Sequence, residues 1–340
     1  MKNLFNIKFP RWAKLCLTIT IIATVISKLG WENIVHTVLH TNLLWLFLSL
    51  AIFTVSIISG VLQWHTLLKN RGIQTPRSRA CKIYFMGLFF SNFLLGGILG
   101  DAVRVAAIHS HENEGKKGLA ATFLDRFAGL WVLCGFAVTG SLIVLSSGGL
   151  NDSMINLVSL TLAVMFMIFA GIMTFLTLKP LQRAVFTVTD YFGPLRKLGL
   201  RAILSEMLIN ARDIKLLSTI ASLSTITQVL RISSYILVAH SLGLVTSSNI
   251  GYFFVLIPIT GIMTTIPLPF GFRETIAGAL FSLAGLQAEA AFVLGFLASI
   301  VAISASLPGG IFLIFDKSSS RSKTKKRKEK LGLKLQEPGS

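Results

Sequence analysis

The chain has 340 residues, of which 53% are hydrophobic and only 14% are charged, with a mean hydropathy of +0.72. This composition excludes an average soluble domain and is typical of an all-α protein that crosses a membrane several times. The formal net charge of +18 could suggest nucleic-acid binding, but the positions of the basic residues favour an explanation from membrane topology, and we expect no nucleic-acid partner.

Apolar runs long enough to cross a hydrocarbon core of roughly 30 Å recur along the chain. We expect full transmembrane helices at 13–30, 43–65, 120–146, 154–178, 216–242 and 289–315. Two further apolar stretches, 83–99 and 250–286, are interrupted by Gly or Pro and predict broken helices. The predicted fold class is therefore all-α and polytopic, with about six full spans and two broken or re-entrant segments that could be related as repeats.

The basic residues predict the orientation of these spans. Of the 32 Lys and Arg, 28 lie in residues 1–14, after residue 316, or in 69–82, 101–118 and 179–215. The positive-inside rule places all five segments, and so both termini, in the cytoplasm of a cell (inner) membrane protein. Residues 83–99 lie between two such segments, so we expect them to enter the membrane and return. A single crossing is the alternative, and it would put 179–215 outside.

The chain divides into three parts on this interpretation. Residues 1–12 form a cytoplasmic N-terminus, 13–316 form the transmembrane domain, and 317–340 form a basic tail without periodicity that we expect to be disordered. Segment 179–215 mixes apolar and basic residues, which fits either an amphipathic helix at the lipid surface or a simple connector.

The first broken segment contains the run "GGILGDAVR". Glycines at 96, 97 and 100 allow a tight turn and close backbone approach. A helix that starts near Gly100 would place Asp101 and Arg104 on one face, one turn apart. Charge inside a bilayer is costly and marks a functional candidate, here a site for an anion beside the helix N-terminus. The alternative is that Asp101 caps the helix and pairs with Arg104.

The second broken segment repeats this arrangement in "PLPFGFRE". Pro267 and Gly271 interrupt the helix, and Arg273 and Glu274 follow at once. Interrupted helices at corresponding positions of two halves are a pointer to a transporter-like binding site. Two unrelated kinks are the alternative.

Three more charged residues lie within apolar spans. Asp125 and Arg126 are near the cytoplasmic start of one span, where Arg126 could instead reach the interface. Arg231 is near the middle of another span and is expected to face protein or a water-filled cavity, with Glu274 or Asp101 as its partner.

Catalytic motifs are missing from the sequence. There is no G-x-S-x-G, H-E-x-x-H, P-loop or Rossmann fingerprint, and Cys16, Cys81 and Cys134 lack metal-site spacing. We therefore expect no enzyme, no cofactor and no metal. A membrane enzyme with dispersed residues, acting on polyprenyl-linked substrates, is a remote alternative.

The motifs "GGILGDAVR", "FLDRFAGL" and "PLPFGFRE", in this order, resemble those of the flippase-like transmembrane family, a domain also found at the N-terminus of lysylphosphatidylglycerol synthases. The resemblance covers about residues 10–316. Gly96 and Leu99 depart from the family pattern in the first motif, and Leu268 and Pro269 depart from it in the third. The resemblance implies a polytopic domain with two re-entrant segments that moves lipids between leaflets. It also implies that this chain, which ends at Ser340, is not itself an aminoacyl-lipid synthase.

Our leading hypothesis is therefore lipid translocation. An anionic or phospho-containing headgroup would enter a cavity between the broken helices, with its phosphate at Arg104, Arg231 and Arg273, while Asp101 and Glu274 orient the arginines or contact an amine. Membrane lipids are the expected partners, with an enzyme that modifies lipids or glycans as a further candidate. The alternative is a non-transporting subunit or scaffold that recruits such an enzyme through the tail and segment 179–215.

Overall fold

A computed structural model gives the fold, and it describes residues 39–92, 97–112, 114–146, 178–191, 213–246, 250–263 and 272–330, together with isolated positions elsewhere. Regular secondary structure in these residues is helical throughout. The helices are α1 (Leu43–Asn70), α2 (Arg77–Phe90), α3 (Gly97–Glu112), α4 (Gly115–Ser146), α5 (Lys179–Tyr191), α6 (Ile214–Ser241), α7 (Ile250–Met263), α8 (Phe272–Leu283) and α9 (Ala288–Lys330). The all-α prediction is thus confirmed for the described part of the chain.

Three of the described helices are long and apolar enough to cross a membrane, namely Leu43–Asn70, Gly115–Ser146 and the Ala288–Leu313 part of α9. Two shorter apolar stretches occur at Ile250–Gly261 and Glu274–Leu283. Many of the outward side chains on α1 are large and apolar, with Leu43, Leu44 and Phe47 more than half exposed. Such a surface suits lipid, because a soluble protein would leave it in contact with water.

Local signals fix the ends of α1 and α6. Asn42 caps α1 by accepting a hydrogen bond from the Leu44 amide at 3.0 Å, and Asp213 caps α6 by accepting from the Leu216 amide at 3.0 Å. After each helix the chain turns at a glycine with positive φ, Gly72 (74°) and Gly243 (68°).

Helices α1 and α6 pack antiparallel along most of their length. Asn42 donates its amide to the Ser241 carbonyl at one end, and Gln63 meets Ser224 near the other. Between these ends the hydroxyls of Ser49 and Ser234 are 2.9 Å apart. Small polar side chains allow the two backbones to approach closely and join them by hydrogen bonds.

Helices α2 and α3 form an antiparallel pair that we call the first hairpin. Near its open end Arg79 Nη1 lies 3.3 Å from Glu112 Oε1. Near its tip Gly100 packs so closely on the Gly87 carbonyl that a Cβ there would overlap it. The two helices therefore run in opposite directions, and the re-entry of this segment into a membrane stays a prediction. Helix α3 begins at Gly97, before the predicted start near Gly100, so Asp101 lies one turn inside the helix and does not cap it.

Helices α7 and α8 form a second antiparallel pair, the second hairpin, in which the Phe253 and Phe281 rings pack 5.2 Å apart near its open end. Helix α4 contacts both hairpins, so its contacts show how the two hairpins are oriented relative to each other. Along α4, Gly118 meets Ile108 and Arg126 meets Asp101 in the first hairpin, and Val144 then meets Gly251 in the second. The two hairpins thus enter the bundle from opposite ends, and their tips approach the middle of α4.

Helix α9 packs against both hairpins. Gly309 lies against the Phe85 carbonyl of α2, and Gly295 lies against Glu274 of α8. The helix is described as far as Lys330. The disordered basic tail at 317–340 stays a prediction.

Several sequence predictions concern residues outside the described part of the chain. These are the first span at 13–30, most of the span at 154–178, Gly96, Pro267, Gly271 and the side chain of Arg273.

Candidate functional site

A cavity of about 230 Å³ lies where the tips of the two hairpins approach α4 and α6. Its walls come from both hairpins and from α1, α4, α6 and α9. The polar side chains in the wall are Gln63, Tyr84, Asp125, Arg126, Ser224, Thr227, Gln228, Arg231, Tyr235, Thr260, Glu274 and Ser299. A space of this size admits a small polar group, such as a lipid headgroup, and not a pair of acyl chains.

Two crossed ion pairs join the first hairpin to α4 on one side of this cavity. Arg126 of α4 donates from Nε and Nη2 to the two carboxylate oxygens of Asp101 in α3, at 2.8 and 3.0 Å. Arg104 of α3 donates from Nη1 to Asp125 Oδ2 in α4 at 3.1 Å. Arg104 also lies 3.9 Å from Asp101, which confirms that these two residues share a helix face. Two acids and two arginines thus form a formally neutral network.

Arg104 is the most deeply buried member of the network, with 1% of its surface exposed. Its guanidinium carbon lies 3.8 Å from the centre of the Tyr84 ring and 5.7 Å from that of Trp64. Burying a guanidinium costs several kcal/mol unless it is paired, so the Asp125 carboxylate and the two aromatic faces together make this position tolerable. Arg104 and Asp101 do not line the cavity, whereas Asp125 and Arg126 do.

Arg231 of α6 lies in the cavity wall beside this network. Arg104, Arg126 and Asp125 act on it electrostatically, and its Nε is buried without a hydrogen-bond partner in the part of the chain that the structure describes. Among the described residues no carboxylate lies within 4.0 Å of it, so the prediction of Glu274 or Asp101 as its ion-pair partner is wrong there. The network is already neutral, and Arg231 therefore adds a positive charge to this side of the cavity.

Glu274 lies in another part of the wall, in the first turn of α8. It is 1% exposed, and its Oε1 accepts a short hydrogen bond from the Ser299 hydroxyl of α9. Gly295 allows this contact, because the α8 backbone at Glu274 passes directly over it. The second hairpin thus contributes a carboxyl group to the cavity wall, while α4 and α6 contribute the guanidinium groups of Arg126 and Arg231.

A row of polar side chains on α1 supports the same cavity and was not singled out in the sequence. Gln63 donates from Nε2 to the Asp125 carbonyl at 3.2 Å and accepts from Ser224 at 2.8 Å. Thr227 donates to the Ser59 hydroxyl at 3.0 Å. Ser49, Ser56, Ser59 and Gln63 recur at helical spacing within an apolar span, and that periodicity was the available signal.

Among the predicted site residues, the structure brings Asp101, Arg104, Asp125, Arg126 and Arg231 together and places Glu274 on the same cavity. Tyr84, the aromatic partner of Arg104, was missed because nothing in a sequence indicates that it lies opposite a residue 20 positions away.

A bundle of apolar helices around a buried polar cavity defines an integral membrane protein. The comparison with known families assigns it more closely: residues 11–310 match the model described as "Lysylphosphatidylglycerol synthase TM region", and the chain belongs to that family. This confirms the resemblance found in the three motifs and relates the protein to lipid metabolism. A search of the curated proteins finds no match to the chain.

Proposed function

We propose that this protein translocates a phospholipid between the two leaflets of the membrane, with the headgroup passing through the cavity while the acyl chains stay in lipid. The observation that carries the proposal is Arg231, a guanidinium in the cavity wall with no carboxylate partner among the described residues. A buried positive charge is costly unless it is compensated, and a phosphate group would compensate it.

Arg126 is the second phosphate contact in this proposal. Its side chain is 34% exposed, lines the cavity, and is held in position by both oxygens of Asp101. Arg104, by contrast, lies behind the wall. We therefore assign it a positioning role, since it holds Asp125 and lies near Asp101. No catalytic step is needed for translocation, and the proposal assigns none.

The two hairpins provide the path in this proposal. Each would enter the bilayer from one side and return, so that their tips meet near the middle of the membrane. Irregular backbone at such a depth is tolerated where it borders a polar cavity, and inverted pairs of interrupted helices are the arrangement found around transporter binding sites. The termini would be cytoplasmic in the cell membrane, as the basic segments predict.

The test is translocation of phospholipids with fluorescent headgroups in proteoliposomes. We expect wild type to move the label between leaflets and Arg231→Gln to reduce the rate by at least about tenfold, since a hydrogen bond to a charged group contributes roughly 1.5–3 kcal/mol. Arg77→Gln is the matched control, because Arg77 is exposed at the start of α2 and does not line the cavity. Folded wild type no faster than empty liposomes, or an unchanged rate in folded Arg231→Gln, would overturn the proposal. The first of these results favours the scaffold alternative.

A further inference from the structure

We infer that the cavity selects phospholipids whose headgroup donates hydrogen bonds beyond its phosphate, through N–H or O–H groups, over those whose headgroup ends in a quaternary ammonium. This inference rests on the proposed function and names the substrate class of the same site. It depends on three side chains of α6 in the cavity wall, Ser224, Thr227 and Gln228, which we call the acceptor band.

The acceptor band lies next to the proposed phosphate contact. Thr227 and Gln228 precede Arg231 by four and three residues, so the three side chains share one face of α6. Ser224 lies one turn earlier on the same face. Each member of the band is at most 5% exposed. A headgroup whose phosphate contacts Arg231 therefore has these oxygens within one or two helical turns, where little bulk water competes for hydrogen bonds.

The hydroxyl protons of Ser224 and Thr227 are already used within the protein. Ser224 donates to Gln63 Oε1 at 2.8 Å. Thr227 has two acceptors within reach of its one proton, the Ser59 hydroxyl at 3.0 Å and the Leu223 carbonyl at 2.8 Å. A hydroxyl oxygen also has two lone pairs, and among the described residues no donor reaches those of Ser224 or Thr227. Both hydroxyls therefore offer the cavity acceptors and not donors.

Gln228 adds an amide oxygen to the band. Its Nε2 donates to the Gly129 carbonyl of α4 at 3.4 Å, while no donor in the described part of the chain reaches its Oε1. Thr260 of α7, also in the wall, repeats the pattern by donating to the Ile257 carbonyl at 2.8 Å. A phosphate brings only acceptors and suits the guanidinium of Arg231, whereas a group with N–H or O–H donors suits the band.

A headgroup without donors would leave the acceptor band unpaired when it displaces water from the cavity. A site that accepts hydrogen bonds from a substrate rejects an analogue that lacks the donors, because its buried polar groups then have no partner. A primary ammonium brings three N–H donors, and a hydroxyl brings one. A trimethylammonium group brings none, so the difference between these headgroups acts directly on the band.

The experiment measures binding to the full-length protein in detergent by calorimetry. The ligands are dihexanoyl phosphatidylethanolamine and its N-methyl, N,N-dimethyl and N,N,N-trimethyl derivatives. All four carry the same phosphodiester and the same formal charge, and only the trimethyl lipid, phosphatidylcholine, lacks an N–H donor. We expect the first three to bind wild type with affinities within about threefold of one another and phosphatidylcholine to bind at least about tenfold more weakly.

This series separates hydrogen bonding from size, and it needs no variant to fold. Equal binding of all four lipids would overturn the inference. An equal loss of affinity at each methylation step would also overturn it, because that pattern follows the volume of the headgroup and not its ability to donate.

Variants assign the preference to the acceptor band. Thr227→Val keeps the shape of the side chain and removes the hydroxyl, and Gln228→Met removes the amide. Each should reduce the preference over phosphatidylcholine by at least about threefold. Thr225→Val is the matched control and should keep the preference, because Thr225 is exposed, does not line the cavity and donates to the Ala221 carbonyl of its own helix. A full preference in both folded band variants would overturn the inference.

The binding assay separates this inference from the proposed function. A preference for lipids with N–H donors without any movement of lipid in proteoliposomes would keep the inference and overturn translocation. Movement of lipid without a preference would do the reverse. If wild type binds none of the four lipids, the inference is overturned whatever the translocation assay shows.

Discussion

Arg126 and Asp101 form a two-point ion pair across the interface between the first hairpin and α4, with N–O distances of 2.8 and 3.0 Å. The pair has two consequences. It holds the Arg126 guanidinium in the cavity wall, and it binds the tip of the first hairpin to α4. Two parallel hydrogen bonds restrict both side chains to one geometry. A charge–charge attraction without hydrogen bonds would leave that geometry free.

Exchanging the two residues tests whether the pairing or the individual charges stabilise the interface. Asp101→Arg and Arg126→Asp should each lower the free energy of unfolding by roughly 1–3 kcal/mol, because each leaves two like charges in contact. The double exchange should recover most of this loss in a thermal unfolding assay in detergent. It should not recover translocation, since the guanidinium then lies on the other helix. Additive losses in the double variant would show that the two side chains do not interact.

Substitutions at Arg104 and Asp125 test whether this ion pair compensates the cost of burying both charges. Arg104→Met leaves Asp125, itself only 8% exposed, without its ion-pair partner and should destabilise the protein by about 3–5 kcal/mol. Adding Asp125→Asn should restore much of the stability, because the unpaired carboxylate is then gone. Unfolding midpoints of the three proteins give the comparison. Equal midpoints for the single and double variants would mean that Arg104 acts mainly through Tyr84.

Gly100 limits how closely the helices of the first hairpin approach. A Cβ at this position would overlap the Gly87 carbonyl and the Ser91 hydroxyl, so Gly100→Ala should destabilise the protein by about 1–3 kcal/mol. Gly135→Ala in α4 is the control, because nothing lies within 4 Å of its added methyl group. Alanine there should be neutral or stabilising by up to about 1 kcal/mol through helix propensity. A stable Gly100→Ala protein would contradict the close packing of the hairpin.

The hairpin paths predict which ends of the bundle face the same solution. In a background without cysteines, Arg79→Cys and His111→Cys should react with a membrane-impermeant maleimide from the same side, because Arg79 and Glu112 are paired at the open end of the first hairpin. Gln287→Cys, beyond the second hairpin, should react from the opposite side. Labelling of Arg79→Cys and His111→Cys from different sides would mean that the segment crosses the membrane once.

Residue spacing predicted those parts of the site that lie within one helix. Asp101 and Arg104 are three residues apart and share a face, as spacing requires once a helix is assumed. The predicted breaks at Gly96, Pro267 and Gly271 lie outside the described part of the chain and stay predictions. The start of α3 at Gly97 was missed, since glycine is compatible with a turn or with a helix that must pack closely.

The sequence could not predict which residues contact each other between helices. The crossed pairs join residues 21 and 25 positions apart, and many other pairings were equally consistent with the chain. The expected partners of Arg231 were chosen by charge alone, whereas packing places it beside other arginines. Within the described residues no carboxylate lies within 4.0 Å of Arg231, and this observation, which supports the functional proposal, depends on the tertiary arrangement and has no signature in the sequence.

The measurement that tests the central claim most directly is photo-crosslinking with a phospholipid whose headgroup carries a diazirine. The account predicts adducts on residues of the cavity wall, such as Gly129, Gln228 and Ala298, and their loss in Arg231→Gln but not in Arg77→Gln. Adducts confined to the exposed outer face of α1, at Phe47, Val55 and Ile58, would show lipid around the protein and none within it. That result would contradict a headgroup path through the cavity.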